Sequence, residues 1–146
     1  TAIRASSYAP IEAWAPLFAL TDVAFVAMQY GDSKGDLEAF EQAFGRAPHW
    51  FEDLDLRNDL ETLAALASLL DCEVAMSTAT SVMCGAVGTP TIEVIPFPDW
   101  APFIGDRDAL IGPIRRVLPD RNNDWVPAFA SAADMLRATL AGDNET

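Results

Sequence analysis

One histidine, two cysteines, one lysine and two tyrosines are all that 146 residues carry of those types. Each scarcity excludes something. With only His49 there is no His-based metal set and no Ser-His-Asp or Cys-His pairing of the usual spacing. Cys72 and Cys84 with one histidine make no zinc pattern. They read as buried, reduced thiols of a cytoplasmic protein, with a disulfide between them as the minor alternative. Lys34 and eight arginines stand against 22 carboxylates, a net charge of −13. That balance argues against a surface that neutralises nucleic-acid phosphates, and anionic membrane surfaces are disfavoured with it. No apolar run reaches bilayer length, and no charged-then-apolar leader opens the chain. The chain opens Thr1-Ala2-Ile3 without an initiator Met, the expectation for a fragment, a processed form or an excised domain.

What is present is enough for a core. A hydrophobic fraction of 51% over this length suits one globular domain over 1–146, with 1–10 an irregular start and 142–146 a frayed tail. The organising stretch is Val74–Ile95, VAMSTATSVMCGAVGTPTIEVI. Val74–Met76 and Thr91–Ile95 read as strands. Between them Ser77, Thr78, Thr80 and Ser81 crowd hydroxyls where a helix begins, predicting a start near Thr80 or Ser81. Gly88 suits the position after the helix and Pro90 forbids its continuation. Strand–helix–strand this short predicts a right-handed parallel βαβ unit. The hydroxyl turn then lies at a strand's carboxyl end and a helix N-terminus, where free N–H groups and the helix dipole suit an anion. Helix caps of this kind also occur with only water beside them.

Flanking segments extend the alternation. Ile11–Leu20 predicts a helix, VAFVAMQ over Val23–Gln29 a strand buried on both faces, and Asp36–Phe44 a helix. Trp50–Leu54 predicts a short edge strand. Asn58–Leu70 is the clearest helix, largely buried, with Asn58 and Glu61 as a capping box. Ile114–Leu118 predicts a last edge strand, and Trp125–Leu140 a final helix capped by Asn123 or Asp124. Helices and strands alternating in this way predict an α/β domain with a mainly parallel sheet.

Among single residues, His49 follows Pro48 outside any motif and reads as a solvated or packing histidine rather than a base. Asp53, Asp55 and Asp59 fit no calcium loop and read as the solvated approach to a helix. Trp100 reads equally as a base- or sugar-stacking residue and as a loop anchor. Arg115 and Arg116 suit phosphate pairing less than surface ion pairing in so acidic a chain.

GAVGTPT, following an apolar strand and a hydroxyl turn, resembles the carboxyl-terminal lobe of bacterial GT-B-fold glycosyltransferases. The closest type is the heptosyltransferase-like domain of tetratricopeptide-repeat proteins. FVAMQYGD ending at Asp32, DLDLRNDLETLAALASLL over Asp53–Leu70, Asp71 with Val74, Pro98-Asp99-Trp100, IGPIRR over Ile111–Arg116 and Asp124-Trp125 agree with it in order. The similarity runs from about Arg4 to Leu140. It implies a Rossmann-like three-layer domain that binds a nucleotide-sugar donor. The pyrophosphate would meet Thr78, Thr80 and Ser81, with Arg4 on phosphate. Ribose and base would lie against Gln29, Tyr30 and Gly31 and against Asp55 and Leu56. Trp100 joins the donor residues on the stacking reading. No metal or separate cofactor is implied. The implied partners are the nucleotide diphosphate sugar and an acceptor lobe, tetratricopeptide-repeat region or protein partner. Ser77-Thr78 stands where heptosyltransferases carry Asp-Thr, and Val82 or a neighbour where they carry His. The lobe's first strand and the acceptor lobe are not in the sequence. The alternative is therefore a non-catalytic derivative of the fold, kept for binding or assembly. Without that strand, the lobe's sheet is expected to show a gap, an added edge, or Thr1–Ser6 recruited into pairing.

Overall fold

The computed structural model describes residues 9–30, 33–95, 107–108, 112–118 and 124–142, the pair 107–108 by backbone alone. It is an α/β domain. A 3-10 turn over Ile11–Trp14 runs into the short helix α1 (Ala15–Phe18), followed by α2 (Lys34–Phe44) and α3 (Leu60–Ser68). Then come β1 (Glu73–Ala75), α4 (Ala79–Ala86), β2 (Thr91–Val94), β3 (Arg107–Asp108), β4 (Ile114–Val117) and α5 (Trp125–Leu140). The four strands form one sheet in the order β1-β2-β4-β3. β1, β2 and β4 run parallel, and β3 pairs antiparallel with β4.

Register divides the sheet into two unlike faces. Glu73 lies opposite Thr91, Ala75 opposite Glu93, Thr91 opposite Ile114 and Glu93 opposite Arg116. Because side chains alternate along a strand, these residues share one face. The other face carries Val74, Ile92, Val94 and Val117. There the larger core packs, with Ala128, Phe129, Ala132, Ala133 and Leu136 of α5 beside Leu17 and Phe18 of α1. Leu136 and Phe129 are buried on the inner stripe of α5, whereas Leu140, expected on that stripe, is 44% exposed. A smaller cluster of Met28, Leu56, Leu63, Ala67 and Cys84 lies between α3, α4 and the polar face. Three layers result, with α3 and α4 on one side of the sheet and α1 and α5 on the other.

Several expected elements take a different form. Val23–Gln29 does alternate as a strand would, Val23 and Phe25 packing on the larger core and Val26 and Met28 on the smaller. Its ladder nevertheless reduces to one parallel bridge, Val26 with His49. The amide of Ala27 donates to the His49 carbonyl at 2.9 Å, and that of His49 to the Phe25 carbonyl at 2.7 Å. The second partner is thus His49, and Trp50–Leu54 bends through turns instead of forming an edge strand. The Arg46 guanidinium holds this region by donating to the Leu20 carbonyl at 2.9 Å and to the Val23 carbonyl, with Phe25 beneath it. α3 is capped by Asp59, not Asn58, with the Thr62 amide donating to Asp59 Oδ1 at 2.9 Å. The helix is also one-sided: Leu63 and Ala67 are buried, but Leu60 is 57% and Leu69 80% exposed. β4 is no edge, being paired with β2 on one side and β3 on the other. The outer side of β1 pairs with no strand among the described residues.

Candidate functional site

α4 begins directly after β1 because Thr78 and Ser81 build a reciprocal cap. The Ser81 amide donates to Thr78 Oγ1 at 3.3 Å and the Thr78 amide to Ser81 Oγ at 3.0 Å. Thr78 is extended (φ −141°, ψ 169°), so the helix starts at Ala79, one residue before the expected Thr80. Gly88, with φ +90°, ends it where the sequence placed the stop. Ser77 and Thr78 are exposed at the carboxyl edge of the sheet, and Thr80 is buried.

Ser81 faces inward. Its hydroxyl proton has two acceptors within reach, the Thr78 carbonyl at 2.8 Å and Glu93 Oε1 at 2.6 Å. The shorter distance and the charge favour Glu93. The other carboxylate oxygen of Glu93 accepts from Arg116 Nε at 2.9 Å, the two side chains being 1% and 4% exposed. A helix cap, a strand carboxylate and a neighbouring strand's guanidinium thus form one buried chain just beneath the edge. Arg116 is therefore an interior residue, not the surface ion-pairing residue its sequence context suggests. Arg115 points to the opposite face.

A second acid lies deeper on the same face. Glu73 is buried, and its Oε2 has no hydrogen-bond partner among the described residues. Burial pushes its carboxyl up to about 7, the nearby Glu93 charge adding to the rise while hydrogen bonds from Cys84 and Thr91 oppose it. The same burial, with Glu73 alongside, raises the Cys84 thiol well above its ordinary range. Cys72 is pushed up to about 12, burial again leading. Both cysteines are free thiols, as the sequence indicates, and neither is a ready nucleophile.

The sequence-predicted donor residues occupy different settings. Thr78, Thr80 and Ser81 share the first turn of α4. Gln29 and Tyr30 are exposed at the carboxyl end of the Val23–Gln29 segment, Gln29 Nε2 donating to Asp36 Oδ2 at 2.9 Å. Asp55 closes a turn, accepting from the amides of Arg57 at 3.2 Å and Asn58 at 3.0 Å. Hydrogen bonds from the Asn58 side chain and backbone lower its carboxyl below the usual range. Leu56 is a member of the smaller core. Arg4, Gly31 and Trp100 lie outside the described residues, as do Pro98 and Asp99. His49 is exposed with its ring edge-on to Phe51 at 4.5 Å, in keeping with a packing role. Among the described residues no group of three or more His, Cys, Asp or Glu is placed to hold a metal ion.

The fold and this edge define a Rossmann-like α/β domain with a mainly parallel sheet. By sequence, the chain is 29% identical over 134 residues to Protein FlbA of Caulobacter vibrioides, an alignment that takes in 92% of the chain. The chain spans 22% of the length of that relative. No family model and no solved structure matches it. No helix among the described residues is long and apolar enough to cross a membrane.

Proposed function

We propose that this chain is the nucleotide-sugar donor-binding lobe of a cytoplasmic, glycosyltransferase-type protein, working with an acceptor lobe supplied by another domain or subunit. The observation that carries the reading is the β1–α4 turn. It presents exposed Ser77 and Thr78 and the amino-terminal amides of an eight-residue helix at the carboxyl edge of parallel strands. This is where open α/β sheets bind phosphorylated ligands. In sugar transfer the glycosyl carbon–oxygen bond to the diphosphate breaks as the acceptor hydroxyl oxygen bonds to that carbon, its proton passing to a base of the acceptor lobe, and the helix amides would stabilise the departing diphosphate. Among the described residues no strand pairs with the outer side of β1, and Val23–Gln29 pairs through a single bridge; both also suit a lobe whose first strand is not in this sequence. One observation favours the second reading, a non-catalytic module that binds a protein partner. Ser81, which a donor would need, already spends its hydroxyl on Glu93.

A melting-temperature screen against ADP, UDP, GDP and CDP and their sugar conjugates tests the proposal. Ligand at about a hundred times its dissociation constant stabilises the fold by about 2.7 kcal/mol, a rise of several degrees in a domain of this size. The discriminating variant is Thr78→Asp. Aspartate caps a helix as well as threonine does, so the fold is kept, but its charge repels a pyrophosphate. A nucleotide-specific rise that Thr78→Asp abolishes supports the donor lobe. A flat response from a cooperatively melting chain sinks it and leaves the binding module.

A further inference from the structure

At the opposite, amino-terminal edge of the sheet lies a cavity of about 250 Å³, lined by Pro90, Thr91, Ile92, Pro113, Arg115 and Thr139. Its walls are mainly apolar, and Arg115 brings the charge. Arg115 is half-buried on the α5 side of the sheet, opposite Ile92 in register. It makes no ion pair with any carboxylate among the described residues, whereas Lys34, Arg116 and Arg137 each face one. Arg46, also half-buried and without a carboxylate, is satisfied by the Leu20 and Val23 carbonyls, whereas the Arg115 guanidinium has no such partner among the described residues.

We propose that this cavity binds a small oxyanion-bearing ligand, a carboxylate or a phosphate, through the Arg115 guanidinium. The planar fork matches two oxygens of either group, and the prolines and Ile92 receive the ligand's apolar remainder. Thr139 donates its hydroxyl proton to the Met135 carbonyl at 2.9 Å. It therefore offers the ligand only a lone pair, which suits one carrying a hydroxyl of its own. The site is separate from the hydroxyl turn, which lies at the other end of the strands.

The test is titration of the whole 146-residue chain with inorganic phosphate and, separately, with malonate, followed through the backbone amide resonances. Sodium chloride at equal ionic strength is the control. The expected result is saturable movement of the Thr91, Ile92, Arg115 and Thr139 signals by one or both anions, with the stronger of the two naming the headgroup. Arg115→Gln should weaken binding about tenfold or more. Arg57→Gln, which removes an exposed arginine elsewhere, should change nothing. Arg115→Lys keeps charge and stem but loses the fork, and an intermediate loss in a chain with an unchanged amide spectrum supports the assignment even where the glutamine variant folds poorly. Movement that follows ionic strength alone overturns the proposal. So does movement confined to Ser77–Thr80, or affinity unchanged in Arg115→Lys.

Discussion

Glu93 and Arg116 sit directly opposite one another on β2 and β4, joined at 2.9 Å inside the protein. Ion pairs this deep are held against a large desolvation cost, and breaking one from a single side is far more damaging than replacing both. Arg116→Met strands the Glu93 carboxylate beside Ser81 alone, and the expected loss is about 3–5 kcal/mol. The double variant Glu93→Leu with Arg116→Met should lose markedly less than Arg116→Met itself. Urea unfolding checks this: the midpoint should fall for the single variant and recover in the double, with the slope unchanged. Equal losses would show that the pair is not coupled.

Glu73 makes stability depend on pH in a particular direction. Its folded-state carboxyl titrates near 7 against an ordinary 4.5. The folded chain therefore holds this proton more tightly than the unfolded one. The contribution is fully present below about pH 4.5 and is lost as pH rises through 7. The span is on the order of 3 kcal/mol. Glu73→Gln keeps the neutral shape and removes the proton, so its stability should fall less steeply between those limits. Parallel slopes in unfolding measured across that range would refute a shifted Glu73.

Two glycines with positive φ should respond differently to alanine. Gly112 has φ +127°, and a Cβ there would lie 2.1 Å from the Gly85 carbonyl oxygen in α4. Backbone meets backbone, so neither can give way cheaply. Gly88 has φ +90° but open space around it. Gly88→Ala should cost about 1 kcal/mol of conformational strain, and Gly112→Ala about 3 kcal/mol or more. Melting temperatures of the two variants compare them, and equal shifts would mean that the loop before β4 is free to move off α4.

The alternation of helix and strand, the β1–α4–β2 unit and the last helix could be read from the chain because each rests on local chemistry: hydroxyl caps, Gly88, Pro90 and a 3.6-residue apolar stripe. What escaped depends on partners far away in sequence. Arg116 looks like a surface residue until β4 is placed between β2 and β3, and its partner lies 23 residues away. A signal was present, however. Glu93 interrupts the apolar run TIEVI, and a carboxylate in a strand covered on both faces needs a cation from a neighbouring strand. Val23–Gln29 reads as a full strand because its side chains do alternate between two cores. Pattern reports which way side chains point and says nothing of whether a neighbouring backbone is there to bond. Asp59 displaced Asn58 as the cap of α3 by one residue, the usual scale of error at a helix end. For the candidate edge, sequence located the hydroxyl turn, but that Ser81 turns inward follows from Glu93 and was not visible locally.

Among the described residues no strand pairs with the outer side of β1, which has a consequence for handling the chain in the tube. An unpaired strand edge is a template for another copy, and charge opposes association through it. At neutral pH every copy carries −13 and repels its neighbours. Near the isoelectric point of 4.1 that repulsion vanishes while the edge remains. Colloidal stability should therefore be lost close to pH 4, where the Glu73 contribution to folding is at its fullest. The acid conditions under which Glu73 contributes most to folding are thus the ones that bring separate molecules together.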